Sequence, residues 1–124
     1  AMADGSCVAF FEVPESPPAI KDTNTPEWLQ HLALVVEDEE ELLEKKGKLE
    51  AAGVDVIGPT NHGFCQSIYF FDPNGHRLEL TVRTETPEMM EKLKSTSEEM
   101  LNEWTKSKTV QKQAAWVHEA GAAE

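Results

Sequence analysis

Two residues with metal-ligating side chains occupy the middle of predicted strands. His31 lies in the run Trp28–Val36 (WLQHLALVV), and Glu79 lies in the run His76–Val82 (HRLELTV). Each side chain projects from the face opposite the leucines of its strand, because side chains alternate along a strand. An imidazole and a carboxylate on rigid strands suit zinc, iron, nickel, cobalt or manganese and leave positions for a substrate. A hydrogen-bonded core histidine and an edge-exposed glutamate are the competing interpretation.

The element that must position Glu79 is a predicted hairpin. The tetrad Asp72–Gly75 (DPNG) is typical of a tight turn, since proline presets φ and glycine tolerates a positive φ. The flanking runs Phe64–Phe71 and His76–Val82 are rich in apolar, aromatic and β-branched residues and predict two strands. In the second strand the side chains on the face of Glu79 are Arg77 and Thr81, and the opposite face carries Leu78, Leu80 and Val82.

The rest of the chain predicts an α+β fold. A helix is expected at Glu39–Ala52, with Asp38 as N-cap and Gly53 after its end. Strands are expected at Cys7–Val13, Trp28–Val36 and Val54–Ile57, and turns or loops at Pro14–Pro26 and Thr60–Gly63. From Trp28 the order is therefore β-α-β-β-β, a βαβββ module that occupies residues 7–84 together with the preceding strand.

A C-terminal helical extension is predicted for residues 86–119. Thr86 and Pro87 are typical of a helix start. The helix is expected to continue to about Trp104, with a break over Lys106–Lys112 and one or two further turns at Ala114–Glu119. One apolar stripe, which we expect to pack on the domain or on a second protomer, comprises Met89, Leu93, Met100, Leu101 and Trp104.

Composition limits the function classes. A chain of 124 residues can form one domain with a core, and a net charge of −12 disfavours nucleic acid and anionic membranes as partners. No apolar run has the length of a membrane span, and no basic, apolar leader is apparent. The two cysteines, Cys7 and Cys65, are too few for a disulfide framework. These features predict a cytoplasmic protein, and the charge indicates nothing specific about its substrate.

Four stretches between Trp28 and Val82 carry a resemblance to a known family. They are the strand opening His31–Ala33 (HLA), the helix end Leu49–Val54 (LEAAGV), the loop Gly58-Pro59 with His62-Gly63, and Ser67–Leu80 (SIYFFDPNGHRLEL). Together they resemble one βαβββ module of the vicinal oxygen chelate superfamily, the group of glyoxalase I, bleomycin-resistance proteins and extradiol dioxygenases.

The resemblance implies a fold and a metal site. Modules of this family form curved half-barrels of mixed sheet, and two modules close around a divalent metal such as zinc, nickel, iron or manganese. The ligands come from the first and last strands of each module, which here carry His31 and Glu79. The metal then acts as a Lewis acid on a small substrate with adjacent oxygens, and Glu79 or Glu12 serves as the base.

Members of the family have several different activities, so the resemblance does not determine which activity this chain has. A glyoxalase-like lyase or isomerase is the leading expectation, and an extradiol dioxygenase is next. The alternatives are a metal-independent drug-binding protein of the bleomycin-resistance type, for which the acidic charge favours a cationic ligand, and a partial module with a structural role.

Only the last strand of a preceding module is apparent, at Cys7–Val13. The chain is thus either a truncated member with an incomplete site or a homodimer in which His31 and Glu79 of both protomers surround the metal. We prefer the homodimer, because half a barrel leaves exposed sheet edges. Glu12 falls where that module's own carboxylate would lie, and is a ligand, a residue that supports the ligands, or an edge residue.

Five further residues are predicted to contact the substrate: Tyr69, Arg77, His62, Trp28 and Phe64. Three of them also have a simpler interpretation. Tyr69 can fill the barrel, Arg77 can pair with a carboxylate, and His62 can be an exposed loop histidine.

Overall fold

The computed structural model describes residues 2, 5–9, 13–17, 24–26 and 28–108. The secondary structure of these residues is α+β, and the predicted βαβββ order with a C-terminal helix is confirmed. Neither helix in these ranges combines the length and the apolar character needed to cross a membrane. The elements are, in order, β1 (His31–Val35), α1 (Glu39–Ala51), β2 (Ile57–Asn61), β3 (Cys65–Phe71), β4 (Arg77–Arg83) and α2 (Pro87–Ser107).

The strands form one open, mixed sheet in the order β1-β4-β3-β2. Strand β1 pairs with β4 in parallel, whereas β3 pairs antiparallel with both β4 and β2. The predicted hairpin at Asp72–Gly75 is confirmed: the Gly75 N–H donates to the Asp72 carbonyl at 2.9 Å. In the part of the chain that the structure describes, β1 and β2 are the edge strands.

The core lies between α1 and the leucine face of the sheet. Leu42 of α1 and Ile68 of β3 are completely buried, and Val36 and Val82 are largely buried beside them. Leu80 is half-buried against this cluster. Because α1 covers this face, the side chains of His31 and Glu79 project from the other face, as the alternation predicts.

Helix α1 begins and ends at residues that the sequence identifies. The Asp38 carboxylate accepts a hydrogen bond from the Glu41 N–H at 2.8 Å, and the Glu41 carboxylate accepts one from the Glu37 N–H at 2.9 Å. The first bond satisfies an N–H group that the first turn of a helix leaves without a partner, and the second holds the residue before the N-cap against that turn. Gly53 follows the helix with a φ of +79°, a conformation that glycine adopts without strain.

The predicted strand at Val54–Ile57 is wrong. Strand β2 begins at Ile57 and runs through Gly58 and Pro59 to Asn61, so the predicted turn at Thr60–Gly63 starts later. A proline is tolerated here because β2 lies at the sheet edge, and the register is irregular between Ile57 and Thr60. Gly58 is required: its φ is +104°, and an added Cβ would lie 2.6 Å from the Ser67 carbonyl oxygen.

The predicted N-terminal strand is not found in its described residues. Cys7–Ala9 and Val13 lie outside any strand and are exposed, and the remainder, which includes Glu12, lies outside the described residues. A β-prone run becomes a strand only by pairing, and these described residues pair with no strand. The predicted strand Trp28–Val36 is shortened to β1, because the Leu29 N–H donates to the Pro26 carbonyl at 3.0 Å in a turn.

Helix α2 starts as predicted but runs beyond Trp104. The Thr86 hydroxyl accepts from the Met89 N–H at 3.2 Å, and the helix ends at Lys108, whose φ is +54°. Of the predicted stripe, Met89, Leu93 and Met100 are half-buried, whereas Leu101 and Trp104 are 64% and 47% exposed. The described residues bury no part of α2 fully, so packing of the whole stripe on the domain is not found. The predicted turns at Ala114–Glu119 lie outside the described residues.

Candidate metal centre

Three rows of side chains cross the face of the sheet that α1 leaves open. They follow from the strand register, which places residues of neighbouring strands side by side. The rows are Phe71–Arg77–His31, Tyr69–Glu79–Ala33 and Ser67–Thr81–Val35, each given from β3 through β4 to β1.

The candidate ligands meet at the centre of this face. His31 Nε2 lies 2.7 Å from Glu79 Oε2, and the side chains are 28% and 8% exposed. Glu79 reaches diagonally past Ala33, its direct neighbour on β1, to the imidazole. The competing interpretation of an edge-exposed glutamate is therefore wrong, since Glu79 is buried in a central strand.

His31 and Glu79 are in direct contact, and a metal ion held by both requires a wider separation. Two ligand atoms about 2.1 Å from one ion are about 3.0 Å apart at a right angle and about 3.4 Å apart at the tetrahedral angle, so the pair would separate by about 0.3–0.7 Å to bind it. Imidazole and carboxylate are the ligand types of zinc, iron, nickel and manganese sites. The residues present thus fit a divalent metal.

One chain supplies too few ligands for a closed site. Among the described residues no group of three or more histidines, cysteines and carboxylates is arranged to hold a metal ion. His31 and Glu79 contribute two ligands, whereas catalytic sites of this type use about three protein ligands and an open position. Glu12, the third predicted ligand, lies outside the described residues and stays a prediction.

Tyr69 and His62 form a polar pair beside the ligands. The Tyr69 hydroxyl lies 2.7 Å from His62 Nε2, and the Tyr69 ring is edge-on to both His62 and His31, with centroids 6.2 and 6.0 Å away. His62 is half-buried in the turn between β2 and β3, so its interpretation as an exposed loop histidine is wrong. The Tyr69 phenol is thus hydrogen-bonded to an imidazole nitrogen, which is the donor or the acceptor according to the tautomer of His62.

Burial raises the pKa of Tyr69 above its ordinary value of 10.0, and the negative charge of Glu79 raises this pKa further. The hydroxyl of Ser67 and the charge of Arg77 act in the opposite direction on this pKa. The phenol therefore stays protonated through neutral pH and can donate a hydrogen bond.

The tyrosine titration gives a direct test of this environment, because Tyr69 is the only tyrosine in the chain. We expect the ultraviolet titration of phenolate to have its midpoint above pH 10.0, and Glu79→Gln to lower that midpoint by removing the nearby charge. Since the folded state holds the proton more tightly, stability is lost as pH rises from 10.0 through the folded pKa. Glu85→Gln is the control, and an equal shift in that variant would contradict the assignment.

Arg77 lies over the Tyr69 ring, with its guanidinium carbon 4.2 Å from the ring centroid. This distance is that of a cation–π contact. Its Nε is buried and has no hydrogen-bond partner, and no ion pair of Arg77 is found among the described residues. Pairing with a carboxylate, the simpler interpretation from sequence, is not what the structure shows.

Sequence reasoning assigned no role to Ser67 and Thr81, which support the site from the third row. Ser67 is completely buried and Thr81 is 9% exposed. The Ser67 hydroxyl donates to Thr81 Oγ1 at 2.9 Å, and Thr81 donates to the Gln66 carbonyl at 3.2 Å. The sequence did contain a signal for this role. Ser67 lies two residues before Tyr69 and Thr81 two residues after Glu79, so the alternation along each strand places both hydroxyls on the polar face.

The two aromatic residues predicted to contact substrate lie at the ends of the strands. Trp28 is 63% exposed in the turn before β1, and Phe64 is 42% exposed in the turn before β3. Their roles as substrate contacts stay predictions.

Comparison with known proteins agrees with this fold. Residues 1–80 match the model of the Glyoxalase/Bleomycin resistance protein/Dioxygenase superfamily. Since the match spans more than half of the 124 residues, the chain belongs to that superfamily. The resemblance predicted from the sequence is thereby confirmed. No curated protein matches the chain significantly.

Solved structures with partial similarity include an integron cassette protein from the mobile metagenome of the Halifax Harbour sewage outfall. It is 45% identical over 43% of this chain and 47% of its own, with a TM-score of 0.40. FosX, a genomically encoded fosfomycin resistance protein from Listeria monocytogenes, is 33% identical over 48% of each chain, with a TM-score of 0.38. A second FosX structure, complexed with Mn(II) and sulfate, is 33% identical over 52% of this chain and 50% of its own, with a TM-score of 0.38. The chain spans about half the length of these proteins.

Proposed function

We propose that the protein is a divalent-metal-dependent enzyme of the vicinal oxygen chelate type, with glyoxalase-like lyase or isomerase activity on a small substrate that carries adjacent oxygens. The observation that carries the proposal is the 2.7 Å contact between His31 and Glu79 on the open face of the sheet. Membership of the superfamily supports it.

The site is completed by a second copy of the chain. One protomer supplies two ligands, and the open face together with the edge strand β1 gives a surface on which a second half-barrel can close. Val35 of β1, on the open face, is 61% exposed, and Leu32, on the opposite face of the same edge strand, is 44% exposed; pairing along β1 would cover apolar surface there. In such a homodimer His31 and Glu79 of both protomers surround one metal.

Each residue of the site has a defined task. A bound divalent metal supplies Lewis-acid polarisation of the substrate's oxygens. Oε2 of Glu79 lies at His31, which leaves Oε1 to accept a proton from the carbon beside a polarised carbonyl. The neutral Tyr69 hydroxyl donates a hydrogen bond to a substrate oxygen when His62 is the tautomer whose Nε2–H donates to the phenol oxygen, and this bond fixes the direction of the hydroxyl.

The assay that tests the proposal uses the 124-residue protein loaded separately with zinc, nickel, iron(II) and manganese. We expect isomerisation of the hemithioacetal of glutathione and methylglyoxal in at least one loaded form, and loss of that activity in Glu79→Gln. Ring cleavage of a catechol with dioxygen would instead identify the dioxygenase. A protein that takes up none of these metals, yet is stabilised against heat by a cationic drug, would contradict the enzyme and favour the drug-binding alternative.

A further inference from the structure

We infer that Arg77 is an anion-recognition residue, and that the substrate of the His31–Glu79 site carries a phosphate or carboxylate group. This inference rests on the proposed function for the location of the reacting centre. Arg77 is next to His31 in the sheet register and two residues before Glu79 on the same face of β4.

The arginine is held in place but lacks an acceptor. Its guanidinium is stacked on Tyr69 at 4.2 Å, and the buried Nε–H has no hydrogen-bond partner. A buried donor without an acceptor is unfavourable, and the great majority of buried polar groups are paired. The Nε–H is covered in this structure, so a ligand oxygen would satisfy it if the guanidinium turns toward the cavity that Arg77 lines. Arg83, the second arginine, lies at the other end of β4 and differs from Arg77 because it forms an ion pair with Glu85.

The carboxylates near Arg77 are already engaged. Arg77 and His31 line a cavity of about 530 Å³ to which Asp72 and His76 also contribute. Asp72 Oδ1 accepts from the backbone N–H groups of Asn74 and His76 at 2.9 and 2.8 Å. Glu79 is bonded to His31. Neither carboxylate forms an ion pair with Arg77 among the described residues, so its guanidinium can still bind an acid group of a ligand, although the chain as a whole carries a charge of −12.

The guanidinium suits an acid group better than a single carbonyl. Its planar N–H groups bind carboxylate and phosphate oxygens in pairs, and a stacked guanidinium is already oriented. Because His31 lines the same cavity, an acid group bound to Arg77 places the adjacent part of the molecule at His31, whose imidazole contacts Glu79. Arg77 thereby selects acidic substrates over neutral ones.

The test follows both arginine side chains by nitrogen-15 NMR in the metal-free protein, since Arg77 and Arg83 are the only arginines of the chain. Inorganic phosphate and acetate are titrated separately at constant ionic strength, with glycerol as the neutral probe. We expect a saturable shift of the Arg77 Nε–Hε signal with at least one acid, none with glycerol, and little change at Arg83. The acid that binds more tightly identifies the group.

Two variants complete the test, with backbone amide shifts of residues 76–78 as the readout. Arg77→Gln is expected to weaken acid binding at least about tenfold, and Arg83→Gln to leave it unchanged. Equal, unsaturated shifts of both arginines, or wild-type binding by Arg77→Gln, would overturn the inference. Since metal is absent, that failure leaves the proposed metal site intact. Acid binding in a protein that takes up no metal would instead contradict the proposed function alone.

Discussion

Replacement of Glu79 by glutamine is expected to lower the affinity for a divalent metal at least about 100-fold, because changes even to residues that only support metal ligands lower affinity by about 10- to 100-fold. Glutamine keeps the size of the side chain and can still hydrogen-bond to His31, so the buried position is filled. It removes the negative charge that the metal requires. Isothermal titration of metal-free protein with zinc or manganese measures the change.

The matched control is Glu85→Gln, which removes a carboxylate that follows the same strand and pairs with Arg83. Its metal affinity is expected to equal that of the wild type. Circular dichroism establishes that both variants fold. Equal affinities for the folded Glu79→Gln variant and the wild type would show that Glu79 is not a ligand.

Truncation of Leu42 to alanine is expected to lower the free energy of unfolding by about 2–5 kcal/mol. Leu42 is completely buried where α1 meets the sheet, against Ile68, Val36 and Val82. Its removal leaves a cavity that the paired strands cannot close. Urea denaturation followed by circular dichroism measures the loss, which is a large part of the stability of a small domain.

The neighbouring Leu43 is the control for this substitution, since it is 48% exposed on the other side of α1. Leu43→Ala is expected to change the free energy of unfolding by no more than about 0.5 kcal/mol. Similar losses in the two variants would mean that α1 does not pack on the sheet through Leu42.

Local patterns were sufficient to predict most of this fold. The turn at Asp72–Gly75 and the alternation in β4 establish the hairpin, and Asp38 and Gly53 mark the ends of α1. The position of β2 was not predictable in the same way. Its strand character comes from pairing with β3 at the sheet edge, and this pairing overrides the turn signal of Gly58-Pro59. The described part of the Cys7–Val13 run shows the converse, a β-prone sequence without a pairing partner.

In the candidate site, too, local sequence patterns predict some features, whereas others depend on contacts between distant residues. Alternation alone places His31 and Glu79 on the polar face, and the parallel pairing of β1 with β4 brings them into contact. The bond between His62 and Tyr69 depends on how the turn before β3 folds back over the sheet. No periodic pattern in the sequence predicts how this turn folds. The absence of an ion pair of Arg77 among the described residues was likewise not predictable, because it depends on which groups the nearby carboxylates contact.

The central claim is that one metal is shared by two copies of the chain. Its most direct test is the metal content of the purified, metal-loaded protein, measured by elemental analysis together with the molar mass by light scattering. We expect twice the chain mass of 13.8 kDa and one metal per two chains, with the metal lost in His31→Ala combined with Glu79→Ala. A monomer that binds one metal by itself, or a dimer that keeps its metal in the double variant, would contradict the shared site.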